Sequence, residues 1–251
     1  MFCSGITLVV LLTNIVFAYN IVGYMAVPPV IALISTIRVM LTCPGVILTT
    51  VRPPDEMSDA QKQLADQFAP EKYGYIVRPR HANWSQTVGA MILDYDHFCP
   101  WVNNAVGLLN IRYFLQFLTW VSISCLWTIG YIFSHIVHCY LGERKSCGWL
   151  YFNRAANTPQ ILFSVLFGLF TLAMSAEQLR NLQYGQTTID RLKDDSHQTD
   201  TVQRYFGGYS VIGRLLPTPN IPVMFTHGEK SVAAAVDQLT DHGFTVLTGG
   251  S

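Results

Sequence analysis

Long apolar stretches alternate with polar segments along the chain and predict membrane-spanning helices. No charged side chain precedes Arg38. That span exceeds the roughly 20 residues of one bilayer crossing and has room for two. We therefore expect a first helix over Phe2–Tyr19 and a second over Ile21–Thr42. Two later apolar runs, Tyr113–His138 and Gln160–Ala176, predict a third and a fourth helix.

The polar segments between these runs define the expected domains. Residues 1–42 hold the first two membrane helices, and 43–112 form a loop of domain-like length. Residues 113–176 hold the third and fourth helices with a lumenal connection, and 177–251 form a C-terminal tail. Lys and Arg are more numerous in the loop and the tail than in that connection, so the positive-inside rule predicts that both face the cytosol. The expected fold class is an all-α polytopic membrane protein with four transmembrane helices.

Local signals predict shorter elements in the polar segments. Ser58 and Gln61 have the spacing of a capping box, which predicts a short helix beginning there. The runs Tyr73–Val77 and Val88–Leu93 predict short strands. Near the end of the chain, Glu229–His242 has the pattern of an amphipathic helix.

Composition agrees with a membrane protein. Half of the residues are hydrophobic, 13% are charged and the formal net charge is zero, which argues against a nucleic-acid binder or a disordered tail. A cleaved signal peptide is the alternative reading of the first run, but the start lacks a basic region and the apolar sequence continues too far. The six cysteines are scattered and form no paired disulfide framework.

Three reactive side chains stand within four residues at the end of the loop. They are a carboxylate, Asp96, an imidazole, His97, and a thiol, Cys99. A free cysteine is mostly protonated at neutral pH, so a nucleophilic role needs a nearby base or cation. His97 is the candidate base, and Asp96 is the candidate group that orients and stabilises it.

The longer sequence around this trio resembles a known family signature. Residues 96–107 read Asp-His-Phe-Cys-Pro-Trp-Val-Asn-Asn-Ala-Val-Gly, and Asn-x-Arg-Tyr-Phe follows at 110–114. This resembles the protein S-acyltransferases named for their Asp-His-His-Cys motif, polytopic enzymes that move a fatty acyl group from acyl-CoA to protein cysteines. The resemblance implies that Asp96, His97 and Cys99 act together, that the acyl group rests on Cys99, and that the cytosolic loop is the catalytic loop.

The resemblance adds further site residues around the trio. Aromatic side chains near the motif are expected to form the wall for the acyl chain: Trp101, Phe114 and Phe117. Polar residues are expected to support the site, the last three in a sequence similar to the family's Thr-Thr-x-Glu motif: Asn104, Thr187, Thr188 and Asp190.

The family's zinc ligands are missing from this sequence. The resemblance implies two structural zinc ions, but the second histidine of the motif is Phe98 and a family cysteine is Ala105. Other positions where the family spacing expects cysteines hold different residues: Glu71, Gly74, Ser85, Val88 and Met91. A tetrahedral zinc site needs four N, S or O ligands. We therefore expect no metal site and no cofactor.

Two functions of different kinds follow from the sequence. The first is a protein S-acyltransferase that moves a long-chain group, palmitoyl by resemblance, through a Cys99 thioester. The alternative is a catalytically inactive relative that acts as a membrane adaptor or partner subunit, since the zinc scaffold is lost. The expected partners are acyl-CoA, cysteine-containing membrane-associated proteins and membrane lipids, with no nucleic acid. The expected location is the endomembrane system, in the ER, Golgi or plasma membrane.

Overall fold

Four long helices form the main body of the protein. The computed structural model describes residues 2–21, 26–141, 154–192, 201–207, 210–219 and 222–247. Apart from the C-terminal helix described below, the long helices are α1 (Phe2–Ile21), α2 (Val27–Leu41), α4 (Ile111–Leu141) and α5 (Arg154–Tyr184). Helix α4 is central, because it packs against α1, α2 and α5.

Two of these helices have the length and composition to cross a membrane. The apolar spans are Ile111–His138 in α4 and Gln160–Tyr184 in α5. Helices α1 and α2 contribute shorter apolar stretches, Cys3–Val16 and Val27–Leu41. The expected third and fourth helices therefore correspond to α4 and α5, each longer than its apolar run.

The second helix begins later than the sequence predicted. We expected Ile21–Thr42, and α2 spans Val27–Leu41 with a proline in its first turn. Pro28 and Pro29 cannot donate a backbone hydrogen bond and would disrupt a helix interior, but they are tolerated in the first turn. The two prolines therefore set the start of α2.

A buried polar cluster joins three of the long helices. Asn14 of α1 accepts hydrogen bonds on Oδ1 from Thr128 Oγ1 of α4 (3.0 Å) and from Gln160 Nε2 of α5 (2.7 Å). All three side chains are buried. Hydrogen bonds between polar side chains of apolar helices stabilise helix packing. This cluster therefore fixes the three helices against one another.

The loop between α2 and α4 contains a small β-structure. Strands β1 (Val46–Ile47), β4 (Ala90–Leu93) and β3 (Ala82–Ser85) form an antiparallel sheet in that order. Strands β5 (His97–Cys99) and β6 (Asn104–Val106) form a hairpin. The protein is thus mostly helical, and the all-α expectation is wrong for this loop.

The predicted short elements of the loop have mixed outcomes. The capping box at Ser58 is confirmed and opens α3 (Asp59–Phe68). The strand predicted over Val88–Leu93 is present as β4. The strand predicted over Tyr73–Val77 is wrong for its first half, because Glu71–Tyr73 is a 3-10 turn that ends at Gly74 in the left-handed conformation. Glycine adopts that conformation without strain, which breaks an extended run. In its second half, Ile76 forms an isolated antiparallel bridge with Thr50.

The C-terminal segment completes the fold of the loop. Strand β7 (Thr245–Leu247) pairs antiparallel with β2 (Thr50–Arg52). Helix α9 (Pro222–Thr240) packs against α3, and it begins earlier than the predicted Glu229–His242 helix. Their shared core consists of buried residues from both segments: Val51, Ala65, Ala69, Val77, Ala235, Leu239 and Phe244. The last part of the 177–251 tail is therefore joined to the loop.

Three short helices connect α5 to this C-terminal segment. They are α6 (Thr188–Leu192), α7 (Thr201–Phe206) and α8 (Val211–Leu215). The buried Arg112 at the start of α4 donates to the carbonyl oxygens of Gly213 (2.8 Å) and Thr218. The connecting segment is thus fixed to the end of α4 that adjoins the loop.

Candidate active site

The β5–β6 hairpin holds the three reactive residues predicted from the sequence. His97 and Cys99 are the first and last residues of β5, and Asp96 immediately precedes it. Cys99 is buried and pairs with Asn104 across the hairpin. Asn103 closes the turn with a positive φ of 49°, a conformation that asparagine tolerates better than most residues.

Asn104 joins this hairpin to the end of α2. Its side-chain amide donates to the carbonyl oxygens of Val39 (2.9 Å) and Thr42 (3.0 Å). These carbonyls lie at the C-terminus of α2, where the helix leaves them without partners of its own. The hairpin is therefore held against the end of a long helix.

Asp96 lies at the centre of a buried hydrogen-bond network. Its Oδ2 accepts from His97 Nδ1 (2.8 Å) and from Gln178 Nε2 (2.8 Å). Its Oδ1 accepts from the backbone N–H of Thr188 (2.6 Å). Burial alone would raise the pKa of Asp96, but the His97 contact and these two donors outweigh it and hold the pKa below its usual value. Asp96 is therefore ionised at neutral pH.

His97 carries a proton more readily than an ordinary histidine. Burial alone would lower its pKa, but hydrogen bonding and charge from Asp96 and Cys99 raise the pKa to about 9. Its Nε2 is buried. With Nδ1 facing Asp96, Nε2 is the nitrogen that can exchange a proton with Cys99.

An apolar cavity of about 160 Å³ adjoins His97 and Cys99. Its wall includes the three aromatic residues predicted from the sequence, Trp101, Phe114 and Phe117. Other lining residues come from the motif, α4 and α5: Pro100, Leu118, Phe170 and Met174. The cavity thus combines a thiol, an imidazole and an apolar wall.

The sequence predictions missed the contribution of α5. Phe170 and Met174 line the cavity, and Gln178 binds Asp96. These positions are four residues apart and so share one face of the helix. Gln178 itself was the sequence signal that could have predicted this contribution, because a polar residue in an apolar helix needs a partner.

Of the predicted Thr-Thr-x-Asp residues, Thr188 contacts Asp96. Thr188 contributes its backbone N–H to Asp96, and its hydroxyl accepts from Asn181 Nδ2 of α5 (2.9 Å). Thr187 is buried. The side chain of Asp190 lies outside the described part of the structure.

Two positions at which the family resemblance places zinc ligands, 98 and 105, hold residues that cannot bind the metal. Phe98 and Ala105 lie in an apolar cluster with Tyr95. Elsewhere in the loop, Tyr73 and Trp84 stack with ring centroids 4.8 Å apart. Within the described ranges, no group of three His, Cys, Asp or Glu side chains could hold a metal ion. Carbon side chains cannot replace the N, S and O ligands of zinc.

The chain is similar to a known protein family and to several curated proteins. A family model described as DHHC palmitoyltransferase matches residues 70–195. "Palmitoyltransferase ZDHHC7" of Rattus norvegicus is 28% identical over 214 residues, covering 83% of this chain and 69% of that protein. "Palmitoyltransferase ZDHHC3" of Homo sapiens is 26% identical over 197 residues, covering 73% of this chain and 62% of that protein. The chain thus spans about two thirds of the length of these relatives.

Proposed function

The chain belongs to the DHHC palmitoyltransferase family of protein S-acyltransferases, and on that premise we propose that it works through a thioester on Cys99. The proposed donor is a long-chain acyl-CoA, palmitoyl-CoA in particular. The proposed acceptors are cysteines of membrane-associated proteins. The observation that supports this is the cavity in which Cys99 lies beside a His97 held by Asp96.

The pair of His97 and Cys99 supplies the nucleophile. Because the pKa of His97 is about 9, the imidazole is protonated at neutral pH. A neighbouring cation favours the thiolate form of a cysteine, which is the reactive form. Asp96 stabilises the imidazolium through the bond from Nδ1.

Loading of the enzyme is the first chemical step. The Cys99 sulfur attacks the thioester carbonyl of acyl-CoA, and a new carbon–sulfur bond forms. The bond to the CoA sulfur breaks, and the His97 imidazolium gives its proton to the departing CoA thiolate. His97 is then neutral beside an acylated Cys99.

Transfer to the protein substrate reverses these roles. Neutral His97 takes the proton of the incoming cysteine thiol, and that sulfur attacks the Cys99 thioester. Cys99 leaves as a thiolate beside a protonated His97, which restores the starting state. One histidine thus serves as acid in the first step and as base in the second.

The physical chemistry of acyl-CoA requires a site at a membrane edge. A fatty chain gains about 0.8 kcal/mol per CH₂ buried in an apolar environment, whereas the charged CoA group must remain in water. We propose that α1, α2, α4 and α5 all cross the membrane. The loop, both termini and Cys99 then lie on the cytosolic side of an endomembrane, and the apolar cavity receives the acyl chain of the acyl-CoA.

The experiment is to incubate purified protein in detergent with radiolabelled palmitoyl-CoA and then with neutral hydroxylamine, which cleaves thioesters. Wild type should acquire a hydroxylamine-labile label, and Cys99→Ala should not. Cys43→Ala is the matched control because Cys43 is an exposed free cysteine near the same loop, and it should label like wild type. No label on folded wild type would overturn the proposal and favour an inactive adaptor.

A further inference from the structure

We propose that Gln178, on α5, is a positioning residue of this site: its side-chain amide holds the Asp96 carboxylate in the orientation that directs His97 toward Cys99. The inference rests on the proposed Cys99 mechanism. Through this hydrogen bond α5 acts on Asp96, which lies 82 residues earlier in the chain.

The geometry fixes both oxygens of Asp96. Gln178 Nε2 and His97 Nδ1 each lie 2.8 Å from Oδ2, and the Thr188 backbone nitrogen lies 2.6 Å from Oδ1. Asp96 is 3% exposed and Gln178 is 4% exposed, so water does not compete for these bonds. With a donor on each oxygen, the carboxylate cannot rotate away from His97.

The orientation of the Gln178 amide follows from the charge of Asp96. An ionised carboxylate only accepts hydrogen bonds, so the amide nitrogen of Gln178 must face it. An amide does not titrate in the working pH range and therefore donates in every step of the reaction. The Gln178 amide occupies one lone pair of Oδ2, so the other lone pair can accept the Nδ1–H of His97. Nε2 of His97 then remains available to Cys99.

The location of Gln178 argues for a specific role. Burying an amide in an apolar helix is unfavourable unless the amide is hydrogen-bonded. Gln178 follows Met174 on the helix face that lines the cavity, and a second methionine would fill similar space without that cost. The same helix end also holds Thr188 through Asn181. Helix α5 therefore positions two of the three donors to Asp96.

The experiment measures the rate of acyl loading of Cys99 in four variants, with circular dichroism and thermal melting to verify folding. Gln178→Met removes the donor but keeps the length of the side chain, and Gln178→Glu donates only when its carboxyl group is protonated. Gln183 is an exposed glutamine on the same helix, so Gln183→Met and Gln183→Glu are the matched controls.

Gln178→Met should lower the loading rate at saturating acyl-CoA by about a hundredfold, the loss that a misplacement of about 1 Å can cause, with an unchanged KM. Gln178→Glu should approach the wild-type rate at low pH, where the added carboxyl group donates to Asp96. Its rate relative to wild type should fall as pH rises, because two ionised carboxylates repel each other. Both Gln183 variants should match wild type at every pH.

The outcomes separate this inference from the proposed function. If wild type loads through Cys99 and Gln178→Met loads equally fast, Gln178 does not position the site. A slow Gln178→Met together with a Gln178→Glu ratio that is constant with pH would show that the hydrogen bond to Asp96 does not set the loading rate, and this also overturns the inference. If wild type itself does not load, the proposed function fails first. Should Gln178→Met not fold, the pH dependence of Gln178→Glu decides the question.

Discussion

Arg204 and the buried Asp94 form a bidentate ion pair that connects α7 to the turn before the β5–β6 hairpin. Arg204 Nε lies 2.6 Å from Oδ2 of Asp94, and Nη2 lies 2.7 Å from Oδ1. The side chains are 16% and 3% exposed. Asp94 has a positive φ of 47° and stands two residues before Asp96. The pair therefore fixes the backbone that leads into Asp96.

Replacing Arg204 with methionine should destabilise the protein strongly. The change leaves the Asp94 carboxylate buried without its cation, and breaking a buried pair in this way costs about 3–5 kcal/mol. Thermal unfolding in detergent measures the effect. Arg52→Met is the matched control, because Arg52 pairs with Asp55 at 4.0 Å while both side chains are highly exposed. Such a surface pair contributes about 0–1 kcal/mol, so equal losses in the two variants would contradict this account.

Spacing along the chain predicted only the part of the site that is close in sequence, whereas the distant Thr188 was predicted from the family resemblance. Asp96, His97 and Cys99 fall within one hairpin, so their short spacing already implied that they could meet. Gln178 and Arg204 reach the same turn from 82 and 110 residues away. Their positions depend on how α5 and α7 pack, and no local pattern specifies that packing.

The fold of the loop was predicted less well for a similar reason. The capping box at Ser58 is a local signal and predicted α3 correctly. Strand β2 has its partner in β7, at Thr50↔Leu247 and the neighbouring pairs. A three-residue strand paired across nearly the whole chain has no signature of its own. The sequence therefore predicted a C-terminal tail, whereas in the structure β7 pairs with the loop strand β2.

Leu239→Ala tests whether the C-terminal helix stabilises the loop. Leu239 is fully buried in the core shared by α9 and the loop, and a leucine truncation at such a site costs about 2–5 kcal/mol. The melting temperature should fall, and limited proteolysis should cleave the loop faster. Leu247→Ala is the control, because Leu247 is 46% exposed and should change stability by about 0.5 kcal/mol or less. A loop that is equally resistant to protease in wild type and Leu239→Ala would exclude this role for α9.

Chelators should leave the protein folded. The loop is packed around Phe98, Ala105 and Met91 where the family pattern has metal ligands, and these residues provide no zinc ligand. Elemental analysis of purified protein should find less than one zinc per chain. The melting temperature should be the same with and without EDTA, whereas a structural zinc site loses stability when the metal is removed. Two zinc ions per chain would contradict the packing described for the loop.

The stabilising effect of His97 should depend on pH. Its pKa rises from 6.5 to about 9 in the folded protein, so folding favours the protonated form. The resulting stabilisation is complete below about pH 6.5 and is lost as the pH rises through 9. We expect the difference in melting temperature between wild type and His97→Asn to be larger at pH 6 than at pH 9.5. In an Asp96→Asn background the difference should vary much less with pH, since the carboxylate that retains the proton is gone. A difference that grows from pH 6 to pH 9.5 would mean that folding favours neutral His97, and the proposed imidazolium at the start of the reaction would then be wrong.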